Sequence, residues 1–134
     1  MNVAQLRETI ELLLSKSPSL IGSYLLPSGQ EIPAVYVVGR QGVPSEWKVI
    51  GLEVTIREFP ERLSRAGVGI ANVLQQWEVV LMQYDTDSRA MDDAMERMAR
   101  RFPDATFRYL PGDDVAYERC RIIIPDRQVK TLIR

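Results

Sequence analysis

The sequence predicts an α+β domain, a mainly antiparallel sheet with two helices packed on one face. Three observations carry that expectation. Apolar residues recur at helical spacing near the start of the chain and again over Ser88 to Arg101. Runs rich in valine, isoleucine and leucine, bounded by proline and glycine, read as strands. Most of the connections between them are short, which favours antiparallel neighbours.

The first helix is expected over Val3 to Lys16. Asn2 supplies an N-cap oxygen and Gln5, three residues on, can reach back in a capping box. Val3, Leu6, Ile10, Leu13 and Leu14 form its apolar stripe, and Pro18 ends it. Leu20 to Leu26 and Ile32 to Val38 then read as a hairpin across the Pro27-Ser28-Gly29 turn. Gly39 to Pro44 is a loop with neither a phosphate-binding glycine pattern nor a following helix. From Trp47 to Glu58 the chain alternates. Ile50, Leu52, Val54 and Ile56 point to a core, and Gly51, Glu53, Thr55 and Arg57 to water or an interface. Phe59 to Ala71, with Pro60, Gly67 and Gly69, reads as a longer connection with room for a helical turn around Glu61 to Arg65, a class of segment that is often functional or ordered against a partner.

Val73 to Tyr84 is apolar on both faces, so a central strand covered at least partly on each side is expected. Asp85 to Asp87 offer turn and cap oxygens for a helix starting near Ser88. Ala90, Met91, Ala94, Met95, Met98 and Phe102 make that helix's stripe, read as ordinary core packing. A second hairpin joins Thr106 to Leu110 with Val115 to Ile124, and Pro125 is expected to close the last strand. Residues 126–134 are then either a frayed end or an arm that docks on a neighbour.

The 134 residues, 46% of them hydrophobic, carry no repeat or linker and are expected to fold as one domain, 1–134. The net charge is -1 and both halves are balanced, which does not indicate a general polyanion-binding surface. No histidine exists, which removes the usual triads, the commonest general base and the commonest metal ligand. Cys120 stands alone among isoleucines and reads as an inert buried thiol, so neither a disulfide nor a zinc site is expected. Glu46-Trp47-Lys48 spells the E-x-K of metal-dependent nucleases, but residues 1–84 contain no aspartate to complete it. The acidic pairs Asp85/Asp87, Asp92/Asp93 and Asp113/Asp114 are explained by caps, a solvated helix face and a turn. No enzyme activity, metal or cofactor is expected, and no membrane partner, since no apolar run approaches the roughly 20 residues of a membrane-crossing helix. Of the basic residues only Lys16, Lys48 and Lys130 are lysine, and arginine forks suit protein interfaces.

The order of elements, helix from Asn2, the Ile32-Pro-Ala-Val-Tyr-Val-Val-Gly39 strand, two long strands, the Ser88 to Arg101 helix and a last strand over Ala116 to Ile124, resembles the tail-terminator and tail-completion proteins of tailed bacteriophages. That resemblance covers most of the chain. It implies a virion protein of the tail or neck, assembled in the host cytoplasm, that forms a ring, commonly a hexamer. The ring would cap the tail tube and meet tube and sheath proteins on one side and head-connector or neck proteins on the other, with DNA passing through its lumen. The candidate interface residues are Arg40, Trp47, Arg57, Phe59, Arg62, Arg65, Arg127, Lys130 and Arg134. The alternative is a small soluble protein-binding or assembly-chaperone domain without a ring.

Overall fold

In the computed structural model, which describes residues 2–39, 42–58, 62–67, 70–86, 89–112 and 116–131, with 62–67, 70–75 and 127–131 as backbone, the chain opens with α1 (Val3–Ser15). Its capping box forms as expected: the Asn2 side chain accepts from the Gln5 N–H at 2.8 Å, and the Gln5 side chain accepts from the Asn2 N–H at 2.9 Å. Leu6, Ile10 and Leu14 are fully buried on its inner stripe. The strands follow as β1 (Ser23–Leu25), β2 (Glu31–Pro33), β3 (Val35–Val37), β4 (Lys48–Ile50), β5 (Leu52–Glu58), β6 (Arg62–Gly67) and β7 (Ile70–Gln83). Then come α2 (Arg89–Arg101), β8 (Thr106–Pro111) and β9 (Glu118–Thr131).

The fold is α+β, two helices and two mostly antiparallel sheets, among the described residues. The small sheet has the order β2-β1-β4 and is antiparallel throughout. The main sheet has the order β3-β5-β7-β9-β8, with β3 parallel to β5 and every other pair antiparallel. β9 pairs with β7 along its whole length, Ile70 to Gln83, and the other edge of β7 is shared: β5 takes Trp77 to Gln83 and β6 takes Ile70 to Leu74. Each of the two long strands, at 14 residues, spans about 45 Å.

Four expectations about strands are corrected. Trp47 to Glu58 is not one strand but two, because Gly51 takes φ 81°, a left-handed conformation that ends β4 before β5 begins. Ile32 to Val38 is likewise split: β2 completes the hairpin with β1, whereas β3 leaves it for the main sheet. The connection Phe59 to Ala71 contains β6 where a helical turn was expected around Glu61 to Arg65, and β6 folds back on β7 as a hairpin. Pro125 does not close the last strand. The first residue of β8, Thr106, pairs with Ile123, so among the described residues β9 is an edge strand beyond that point, the position in a sheet where proline is tolerated. The tail through Thr131 is therefore part of the sheet.

The two sheets are stitched at a close backbone crossing. The Gly22 N–H donates to the Leu52 carbonyl at 2.8 Å, Ala34 N–H to Gly22 at 3.1 Å and Val54 N–H to Ala34 at 2.8 Å. A Cβ on Gly22 would lie 2.0 Å from the Ile50 carbonyl oxygen, so only glycine permits this approach.

Both helices cover one face of the main sheet. Val35, Leu52, Val54, Ile56, Trp77, Val79, Leu81, Cys120, Ile122 and Ile124 point into a continuous apolar core with the inner stripes of α1 and α2. Met91, Ala94 and Met98 are fully buried there, so the methionine stripe is core. Arg97 is turned from α2 to the end of α1, where its guanidinium donates to the carbonyls of Leu13 at 3.2 Å, Lys16 at 3.1 Å and Pro18 at 3.0 Å. The carbonyls that a helix C-terminus leaves unpaired are thus satisfied by a cation from its neighbour.

Candidate functional site

Strand alternation sends every second residue of the main sheet to the face that the helices do not cover. Register aligns them in rows. One row is Tyr36, Thr55, Val80, Arg121 and Arg108; the next is Arg57, Glu78, Ile123 and Thr106; a third is Glu53, Met82, Arg119 and Leu110. The two ends of this face differ.

At the Glu53 end the small sheet folds over. Tyr24 reaches from β1 and its hydroxyl donates to Glu53 Oε2 at 2.6 Å, while the Tyr84 hydroxyl donates to Oε1 at 3.0 Å. Tyr24 is fully buried and Glu53 is 4% exposed. Burial, reinforced by the bond to the carboxylate, pushes the Tyr24 phenol well above its ordinary range. The rings of Tyr24, Tyr36 and Trp47 pack at centroid distances of 5.3 to 6.5 Å, two of the three contacts edge-on. Glu53 was expected on a wet or interfacial face and is instead the buried anchor of this corner. The local alternation of β5 gave its direction correctly, but the tyrosine that covers it lies 29 residues earlier. With one tyrosine hydroxyl donating to each of its oxygens, Glu53 clamps the small sheet to the main one.

The remainder of the face is open among the described residues. Arg57 and Arg108 are exposed, and Thr55, Val80, Met82 and Ile123 are half-buried. Arg121 Nε donates to Glu78 Oε2 at 2.7 Å. The apolar residues of β7 divide accordingly: Trp77 is 1% exposed in the helical core, and Met82 lies half-buried on the opposite face. The two-sided apolar character of the strand is real, and one of its sides faces outward.

The interface residues singled out from sequence fall into three sets. Trp47 is half-buried in the aromatic corner and is spent on intramolecular packing. Arg57 stands on the open face, opposite Glu78. Arg62 and Arg127 flank Leu74 in register, and Arg65 and Lys130 flank Ala71, so β6, β7 and β9 bring four candidates together on the distal half of the long ribbon. Arg40, Phe59 and Arg134 lie outside the described residues, as do Asp87, Ser88, Asp113 and Asp114.

The chemical candidates take structural places. Cys120 is fully buried, and burial pushes its thiol up to about 11, far from a reactive thiolate. A shallow cleft of about 500 Å³ contains Glu46 and Lys48 with Leu25, Leu26, Pro27 and Gly29, and Glu46 is its single lining carboxylate. Among the described residues no three histidine, cysteine or acidic side chains are grouped to hold a metal ion, and no helix is long and apolar enough to cross a membrane. No protein-family model matches the chain, and no curated protein matches it in sequence.

Proposed function

We propose that the chain is a structural virion protein of a tailed bacteriophage, a ring-forming subunit that caps the tail tube and joins the tail to the head or neck. The observation that carries this reading is the unequal treatment of the two sheet faces. One is sealed by α1 and α2, and the other presents Arg57, Arg108 and Arg121 among half-buried Val80, Met82 and Ile123. Arginine interleaved with aliphatic side chains has the composition of a protein interface. The long β7–β9 ribbon with β6 adds a second surface at one end, and a closed ring needs two different surfaces on each subunit. In this reading the protein works by geometry: the ring repeats one contact around an axis, its opposite rims meet tail tube or sheath proteins and head-connector or neck proteins, and DNA passes through the lumen. It is assembled in the host cytoplasm and stays in the virion.

Light scattering coupled to size-exclusion chromatography tests the ring directly, with negative-stain microscopy of the protein mixed with purified tail tubes. A hexamer-sized particle that decorates tube ends is expected. A monomer at high concentration that leaves tube ends bare would overturn the reading in favour of a small binding domain.

A further inference from the structure

We infer that the free edge of β6 and the free distal edge of β9 join in a parallel strand pair between neighbouring copies of this chain; this rests on the ring reading and adds a backbone joint to it. Beyond the reach of β5 and β8, the strands β6, β7 and β9 form a three-stranded antiparallel ribbon. Its registers run level: Arg62, Leu74 and Arg127 share one level, Ser64, Asn72 and Val129 the next but one, and Gly67, Ile70 and Thr131 the last. Among the described residues no strand pairs with the outer edge of β6, or with the outer edge of β9 beyond Ile123. Each such edge is a row of N–H and C=O groups that template a further strand.

The backbone hydrogen bonds fix which groups point outward. The Val54 N–H donates to the Ala34 carbonyl and the Ile56 carbonyl accepts from the Val38 N–H, both at 2.8 Å. Even-numbered residues of β5 therefore turn to β3, and odd-numbered ones turn to β7, where they meet Met82, Val80 and Glu78. It follows that β7 turns its even-numbered residues to β5 and β6 and its odd-numbered ones to β9. Pro125 agrees, since it has no N–H and stands opposite Gln76, at a level where β9 turns away from β7. By the same alternation Arg127, Val129 and Thr131 point their backbone groups out of β9, and Leu63 and Arg65 point theirs out of β6. β6 and β9 run in the same direction, each being antiparallel to β7, so β9 of one copy meets β6 of the next as a parallel pair. With levels kept, the Val129 N–H donates to the Leu63 carbonyl of the next copy, and the Val129 carbonyl accepts from its Arg65 N–H. The two edges match in length because both are measured against Ile70 to Leu74. The wide half of the sheet has no such match, with six-residue β8 on one edge and three-residue β3 on the other. A joint that takes a different edge from each copy is head-to-tail, as a ring needs.

Two proline variants and one cysteine pair test this. Val129→Pro and Leu63→Pro each remove an outward N–H and leave the bonds to β7 in place, and circular dichroism checks the fold of each. Each alone is expected to self-associate about tenfold more weakly than the natural protein, since a carbonyl in every joint loses its donor. An equal mixture is expected to form pairs at concentrations where each alone is monomeric, because β6 of the first and β9 of the second are intact. Ser64→Cys with Val129→Cys is independent of proline. Within one chain these positions are two strands apart, about 10 Å and out of disulfide reach, whereas across the joint they are one spacing apart, about 5 Å. Cys120 is buried, so mild oxidation of the double variant is expected to link chains in a ladder on non-reducing gels, with no ladder from either single variant. A natural protein of ring mass whose double variant stays uncrosslinked, or whose proline variants keep that mass, overturns the pairing and leaves the ring reading standing. Dimers cross-linked by Val129→Cys alone would make the joint a two-fold pair of β9 strands and overturn the inference. A natural protein that is monomeric overturns the ring reading itself.

Discussion

The two faces of the main sheet are built from the same strands and stabilised by different physics. The helix side is a continuous apolar layer from Leu6 to Ile124, in which shape and burial do the work. Among the described residues the other side has no helix. Its stability is concentrated in one corner, where Glu53 and two tyrosine hydroxyls bind the small sheet down, and the rest is left as a half-buried mixture of arginine and aliphatic side chains. The contrast separates scaffold from surface along single strands. In β7, Trp77, Val79 and Leu81 belong to the first, and Glu78, Val80 and Met82 to the second.

The largest test of that contrast is truncation on each side of β7. Trp77→Ala empties the centre of the helical core and is expected to cost about 3 to 5 kcal/mol, read from chemical denaturation. Val80→Ala, on the open side, is expected to cost about 1 kcal/mol or less, because a half-buried methyl pair leaves no closed cavity. Equal losses at the two positions would mean that both faces are core.

The polar corner gives the next effect. Glu53→Ala leaves the buried Tyr24 hydroxyl and the part-buried Tyr84 hydroxyl without their acceptor and is expected to cost about 2 to 4 kcal/mol. Replacing Tyr24 as well, with phenylalanine, removes one of the orphaned groups and should restore part of the loss. A double variant no more stable than Glu53→Ala would show that the corner is held by ring packing, not by the clamp.

Arg97→Ala follows, at about 1.5 to 3 kcal/mol, since it withdraws a charged donor from the carbonyls of Leu13, Lys16 and Pro18. Hydrogen exchange should localise the loss to the last turn of α1. Loss spread over the whole helical layer would assign Arg97 to the core rather than to the cap.

Alkaline titration separates the faces by chemistry. Burial raises the Cys120 thiol on the helix side from 9.0 to about 11, and also raises the Tyr24 phenol on the other. The folded chain therefore keeps protons that the unfolded chain gives up. Their contribution is fully present below pH 9 and is lost as pH climbs through the folded values, at a rate of at most about 1.4 kcal/mol per pH unit and group. Thermal melts between about pH 8 and pH 11 should fall more gently for Cys120→Ala than for the natural chain. Identical slopes would remove Cys120 as a contributor.

How much of this could be read from sequence follows the same division. The helix side was legible because its signals are local: the Asn2 and Gln5 cap, the Leu6, Ile10 and Leu14 stripe, and the Met91, Ala94 and Met98 stripe each lie within one element. The other side depends on contacts between distant segments. Glu53 meets Tyr24 and Tyr84 across 29 and 31 residues, and Arg97 meets α1 across some 80, which no periodicity encodes. The strand β6 was missed because Arg62-Leu-Ser-Arg-Ala-Gly67 has little strand character of its own and pairs where β7 extends beyond β5. A long two-sided apolar strand was the one available hint that a partner would be found along its full length.

The smallest expected change in stability falls on the open face, and it bears most on function. Arg57→Ala removes an exposed side chain whose cross-strand neighbour, Glu78, already accepts from Arg121 at 2.7 Å. Its cost should lie within about 0.5 kcal/mol, since exposed charges contribute little to folding. The same substitution is expected to weaken self-association measurably, because a charge that an interface covers is worth more than one left in water. Sedimentation and denaturation on one preparation would give both values. A variant that loses stability but keeps its assembly would reverse the assignment of the two faces, placing Arg57 in the scaffold and the contact elsewhere on the molecule.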